Sequence, residues 1–384
     1  MLRIGGESIP LVDCDVHETY RTAMDLLPYL SEPWRSYFTE CLFRGPQGGP
    51  YANTAHGGRR PDTLPAGAAA TDYRAGGELE LCRKQLLDEY GVDYGILTSF
   101  FYYIAAMPQA DFATALATAY NNWLLDHWLG KDKRIKGSVQ VALQDPQGAA
   151  REIDRVGPHP DIVQLVVGAP AERGYGHPMY DPVWEACARN DLVVGIHVNM
   201  PSGIFLPPTP LGWPRYYMEW HASNSLQMQS HLLNLVCEGF FEKFPTLKVV
   251  FIEAGFSWVP HITWQLDQNW RSLRSEVPWV KRKPSEYIRE RCYFTTQPME
   301  EPDNVQHLLN MIEMVDGERT LLFATDYPHW DFDSPLYALP RQLDLKTRKR
   351  IFAENALELY GLPYPTTETV TAGSAPIDGV GTRA

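Results

Sequence analysis

The chain has 384 residues, 44% hydrophobic and 21% charged, enough to bury a large core as one domain or two. Its formal net charge of -13 argues against a nucleic-acid surface, since phosphate binding needs a basic face. No run of about 18 apolar residues exists to span a bilayer, and Met1 to Glu7 lacks the apolar core of a secretory signal.

In chain order, apolar, β-branched runs of strand length fall at 11–16, 93–98, 135–141, 162–167, 192–197, 247–253, 291–296 and 319–325. Helical periodicity falls between most of them, at 78–90, 112–129, 146–156, 182–190, 226–244 and 305–314, and again at 347–360. Strand alternating with helix predicts an α/β chain folded as a (β/α)8 TIM barrel, because parallel neighbours need helical crossovers. Residues 1–364 are expected to form the barrel, with long loop insertions at its C-terminal mouth over about 37–77 and 198–219. The second insertion carries Trp213, Tyr216, Tyr217 and Trp220, which suits an apolar or ring-bearing substrate. The Thr-, Ala-, Gly- and Ser-rich tail 365–384 is expected to be disordered.

Four of the strand patterns end in side chains that can bind a metal. The run Val12-Asp13-Cys14-Asp15-Val16-His17 places Asp13, Asp15 and His17 at alternate positions, which on a regular strand is one face. Val193 to Ile196 leads into His197, Leu247 to Ile252 into Glu253, and Leu321 to Thr325 into Asp326. Polar groups at buried strand ends are costly unless paired or coordinated, so their recurrence on four strands points to a metal centre at the mouth. The six cysteines, at 14, 41, 82, 187, 237 and 292, show no C-x-x-C spacing, and a reducing cytoplasm is the simplest home. His231 has the setting of a packed helix residue. His56, His127, His159, His177, His261 and His307 have no converging partners. Phosphate-binding loops, Rossmann glycine motifs and G-x-S-x-G elbows give no support for nucleotide or serine-hydrolase chemistry.

Together, Asp13 to His17, Gly195-Ile196-His197, Phe244-Pro245 through Phe251, Thr325-Asp326-Tyr327-Pro328-His329 and Glu354-Asn355-Ala356 resemble the amidohydrolase-related family. This is the branch of the amidohydrolase superfamily that includes aminocarboxymuconate semialdehyde, resorcylate and vanillate-type decarboxylases, and the match spans roughly 10–362. The resemblance implies that His17, His197 and Asp326 are metal ligands and that Asp15 is the fourth. Two positions depart from the pattern. Many of these decarboxylases carry a His where this chain has Glu253, and the fourth strand, Ile162 to Val167, lacks the Lys whose carbamate bridges two metals in other branches. With Glu253 and the run Tyr327 to Asp333, the chain also resembles a group containing the non-haem diiron monooxygenase of platensimycin and platencin biosynthesis. That likeness implies a second iron held by Glu253 and one or both of His221 and His329.

These readings give a metal-dependent hydrolase or decarboxylase acting on a small aromatic or apolar carboxylate, with zinc, iron or manganese as cofactor. The metal set would be Asp15, His17, His197, Asp326, Glu253 and His329, and the catalytic groups Glu253, Asp326 and His221. The alternative is a diiron monooxygenase hydroxylating an apolar natural-product intermediate on the same fold. A barrel that binds a ligand without turnover ranks last. The expected partner is a small-molecule substrate, with no nucleic acid or membrane, and a homo-oligomer is compatible with the sequence.

Overall fold

The computed structural model describes residues 2–4, 7–45, 58–63, 76–99, 101–199, 208–365 and 377–378. Eight parallel strands follow one another in chain order around a single sheet. We number them β1 (Val12–Val16), β2 (Tyr94–Leu97), β3 (Ile135–Val139), β4 (Ile162–Gly168), β5 (Val193–His197), β6 (Val249–Ile252), β7 (Cys292–Thr295) and β8 (Leu321–Leu322). Strands β8 and β1 meet through Cys14 N donating to Phe323 O at 2.9 Å and His17 N donating to Tyr327 O at 2.7 Å, which closes the (β/α)8 TIM barrel. Each predicted strand run contains its observed strand or overlaps it, since β-branched runs suit a pleat covered on both sides.

The barrel has two apolar compartments. Val12, Cys14, Ile96, Val166, Val193, Val250, Ile252 and Leu322 fill the lumen together with Ala356 and Tyr360 of the last helix. Alternate residues, among them Val139, Leu165, Val167, Ile196, Phe251 and Phe294, belong to the larger core beneath the helices. The crossovers include α1 (Ala110–His127), α2 (Pro146–Val156), α3 (Asp181–Arg189), α4 (Tyr217–Ala222) and α5 (Ser225–Cys237). Helix α2 starts where Asp145 accepts Gly148 N–H at 2.9 Å with Pro146 in the first turn, a common N-terminal signature.

The helices differ from expectation in two places. The predicted helix 226–244 is broken at Gly239, whose φ of 71° a side chain would resist, so α5 ends at Cys237 and a short turn Phe240–Lys243 follows. The periodicity names no helix between β6 and β7, yet α6 (Trp258–Leu273) and α7 (Pro284–Arg291) form there. Trp258, Val259, Ile262 and Leu266 are buried at helical spacing, and Pro260 is tolerated because it lies in the first turn, where no backbone N–H partner is lost.

Short strands Leu2–Ile4 and Glu7–Ile9 form a hairpin outside the barrel, and Ile377–Asp378 pairs with the first of them. The rest of the tail beyond 365 lies outside the described residues, as do 46–57, 64–75 and 200–207 of the two insertions. The described flanks of both insertions reach the mouth. Arg60 N donates to Pro328 O at 2.9 Å, Thr19 N to Gly76 O at 3.0 Å, and Trp330 Nε1 to Tyr217 OH at 3.3 Å. Among the described residues no helix is long and apolar enough to cross a membrane.

Candidate metal centre

Strand β1 does not keep the two-residue alternation that the sequence suggests. Its register against β2 shifts between Asp13 and Val16, a bulge that inserts one extra residue and reverses which positions face inward. Val12 and Cys14 therefore fill the lumen, while Asp15 and His17 turn toward the mouth. Asp13 is not on their face. Its carboxylate accepts Thr325 N at 2.9 Å and the Thr325 hydroxyl, tying β1 to the end of β8.

Asp15, His17, His197 and Glu253 offer ligand atoms that all lie within 4.8 Å of one another, as do His17, Glu253, Asp326 and His329. Nδ1 of His17 lies 2.7 Å from Ser99 O, and Nδ1 of His197 lies 2.5 Å from Val198 O. A carbonyl only accepts, so each Nδ1 carries the hydrogen and each Nε2 presents its lone pair to the centre. His17 Nε2 lies 2.9 Å from Asp326 Oδ1 and 3.4 Å from Asp15 Oδ1, and His197 Nε2 lies 3.4 Å from Asp15 Oδ1 and 3.3 Å from Glu253 Oε2. Glu253 and Asp326 close their strands with φ of 59° and 60°, and Ser99 has φ 64°. Such left-handed backbone at non-glycine residues is costly and clusters at functional sites, and here it accompanies the aiming of two carboxylates and one carbonyl.

His329 Nδ1 contacts Asp326 Oδ1, and its ring sits 4.4 Å from that of His17. His221, on α4, places Nε2 3.1 Å from Asp331 Oδ2, and His221, Glu253 and Asp331 form a third group that could share an ion. All six sequence-predicted metal residues are thus brought together, and the third candidate catalytic residue, His221, sits beside Glu253. The sequence reading missed Asp331, although it lies in the quoted run after Asp326. It also missed Gln297, whose Nε2 lies 3.1 Å from Asp331 Oδ2 and 3.4 Å from Asp326 Oδ2. Gln297 stands two residues beyond the end of β7, where strand periodicity would have placed it. His231 is a packed residue, stacked on Tyr175 with Nε2 2.6 Å from Ala169 O.

Burial works against every charge here. It pushes the Glu253 and Asp326 carboxyls well up, aided by repulsion from Asp331 and Asp15 and, for Asp326, from Glu253. Burial would raise Asp15 too, but the His197 and His17 imidazoles and the Thr98 hydroxyl outweigh it and bring Asp15 to about 2. Burial lowers His17 well below the usual imidazole range and His329 to about 4. Asp15 Oδ2 is buried without a hydrogen-bond partner among the described residues. Crowded, mutually repelling carboxylates, imidazoles turned inward through Nε2 and an open carboxylate oxygen are the donors a divalent cation takes, so the residues fit a metal. The mixed oxygen and nitrogen set suits manganese, iron or zinc.

A family model described as Amidohydrolase matches residues 12–362. The chain belongs to this amidohydrolase family. It is 26% identical over 297 residues to gamma-resorcylate decarboxylase from a Polaromonas species, covering 73% of this chain and 86% of that one. It superposes on 5-carboxyvanillate decarboxylase from Sphingomonas paucimobilis with a TM-score of 0.65 at 21% identity, over 93% of this chain and 100% of that one. Dihydroxybenzoic acid decarboxylase from Polaromonas, solved with manganese and the inhibitor 2-nitroresorcinol, gives a TM-score of 0.63 at 20% identity, over 95% and 100%. This amidohydrolase-family barrel is a metal-dependent enzyme whose cofactor is a divalent ion.

Proposed function

We propose that the chain is a metal-dependent decarboxylase of small aromatic carboxylates, with Asp15, His17, His197 and Asp326 holding the ion. Two overlapping donor groups carry the reading, Asp15, His17 and His197 with Glu253, and His17 and Asp326 with Glu253 and His329. They join where His17 Nε2 lies 3.4 Å from Asp15 and 2.9 Å from Asp326, and the decarboxylase relatives support the substrate class. When bound, the ion supplies Lewis-acid polarisation and a fixed point for the oxygens of the substrate. The chain supplies the proton. In the reaction the ring carbon takes a proton, the bond to the carboxylate carbon breaks, its electron pair stays on the ring, and CO2 leaves.

Glu253 is the better placed proton carrier. Both oxygens of Asp326 are engaged, Oδ1 by His17 and His329 and Oδ2 by Gln297, whereas among the described residues the Glu253 carboxylate is contacted through Oε2 by His197. His221 and Asp331 border it and fix its side of the cavity. The direct test follows CO2 release from 2,6-dihydroxybenzoate and 5-carboxyvanillate with manganese-loaded protein, before and after chelation. We expect release from at least one that chelation abolishes. Metal-replete, folded protein releasing none from either would contradict the proposal.

One observation favours a second reading. Glu253 also belongs to the His221 and Asp331 group, so two ions could share it, which the diiron monooxygenase alternative would need. The relatives named above are decarboxylases and lend that oxygen chemistry no support.

A further inference from the structure

Besides Gln297, whose Oε1 is open, two buried amides beyond the strand ends of β3 and β5 have side-chain atoms without partners among the described residues. Gln140, just past β3, is 1% exposed, and neither Oε1 nor Nε2 is hydrogen-bonded among the described residues. Asn199, two residues beyond His197, is 6% exposed with an unpaired Oδ1. An unsatisfied buried amide is costly, so its retention calls for an occupant.

The register places Gln140 on the floor of the metal cavity. Ser138 Oγ accepts Gln164 Nε2 at 3.0 Å, and Gln164 Oε1 accepts the hydroxyl of Tyr360, a residue of the lumen. Val139 belongs to the outer core, so by alternation Gln140 points inward like Ser138. His197 pairs with Gly168 on β4 and with Ile252 on β6, while Leu165 pairs with Val139. Barrel strands are tilted, so equal height on the next strand lies about one residue from the paired one. That offset takes His197 to Glu253 on one side, as the cluster requires, and to Gln140 two strands away on the other. Alternate strands share a layer, so Gln140 stands level with His197 and faces Gln297 across the barrel.

The backbone at Gln140 is clamped. Its N–H donates to Asn121 Oδ1 and its carbonyl accepts Asn121 Nδ2, both at 2.9 Å, while Asn121 Nδ2 also donates to Glu152 Oε1 at 2.8 Å. Asn199 packs over Gly168, where an added Cβ would stand 2.8 Å from Asn199 Nδ2. By register, these two buried amides lie on the β3 to β5 side of the mouth, away from the proton-carrying side at Glu253 and Asp326.

We propose that Gln140, assisted by Asn199, binds a ring hydroxyl of the substrate and orients the ring between the metal donors and Glu253. A hydroxyl donates one hydrogen bond and accepts others, so it can accept from Nε2 of Gln140 while donating to Oδ1 of Asn199, or donate to Oε1 of Gln140 instead. This inference rests on the decarboxylase reading and adds the residues that select hydroxyl-bearing rings.

The test titrates metal-loaded protein with 2-nitroresorcinol, whose nitro group mimics a carboxylate and cannot leave as CO2, and with nitrobenzene, which lacks the hydroxyls. Gln140→Met should weaken 2-nitroresorcinol by about tenfold, leave nitrobenzene within about twofold, keep the metal content, and not lower Tm, because no protein hydrogen bond is lost. Asn199→Ala should act in the same direction. Unchanged 2-nitroresorcinol binding in both variants would show that water alone satisfies the amides and overturn the inference while sparing the decarboxylase reading. Equal weakening of both ligands with a fall in Tm would show a structural role and overturn it too. Wild-type protein that holds metal and binds neither ligand would overturn the decarboxylase reading together with this inference.

Discussion

Oε2 of Glu253 lies 3.3 Å from Nε2 of His197, and the same side chain belongs to the group formed with His221 and Asp331. Its position decides how many ions the mouth holds. In the proposed single-metal enzyme, Glu253→Gln should retain the metal while the rate falls by about 10² to 10⁴, the usual range for losing a general acid. Loss of one of two bound ions, read by metal analysis, would favour the shared-ion arrangement. Full metal with full activity on an identified substrate would make Glu253 structural.

Barrel closure depends on Asp13 and Thr325. The Asp13 carboxylate is fully buried and accepts both the N–H and the hydroxyl of Thr325. Thr325→Val keeps the shape but strands one Asp13 acceptor and the buried Tyr327 N–H that donates to the Thr325 hydroxyl at 3.1 Å, so stability should fall by at least about 1–3 kcal/mol. Urea unfolding of the two proteins measures it, and an unchanged midpoint would contradict the role given to this pair.

A pH dependence follows from His231, which burial lowers to about 4 against an ordinary 6.5. The unfolded chain binds this proton between those values and the folded chain does not. The contribution is therefore complete above about pH 6.5 and is lost as pH falls toward 4, amounting to about 2–3 kcal/mol. His231→Gln retains a donor for Ala169 O without titrating. The stability difference between pH 7 and pH 5 should be smaller in the variant, and equal slopes would refute the assignment.

The strand ends were legible because β-branched runs that terminate in His, Glu or Asp are costly unless those groups are used. Asp15, His17, His197, Glu253 and Asp326 all announced themselves in this way. Gln140, Gln297 and Asn199 did not, because an amide at a strand end is unremarkable until its lack of a partner is visible. The bulge that separates Asp13 from Asp15 and His17 was also hidden, since its only signature is a register shift against β2. Helix α6 escaped because Pro260 reads as a breaker until its place in the first turn is known.

The central claim is that Asp15, His17, His197 and Asp326 hold the metal. Metal content per chain, measured on protein purified without oxygen, tests it most directly when wild type is compared with His197→Ala. One divalent ion per wild-type chain is expected, and loss of that ion in a variant that remains folded. A folded His197→Ala protein retaining its full complement would contradict the ligand set.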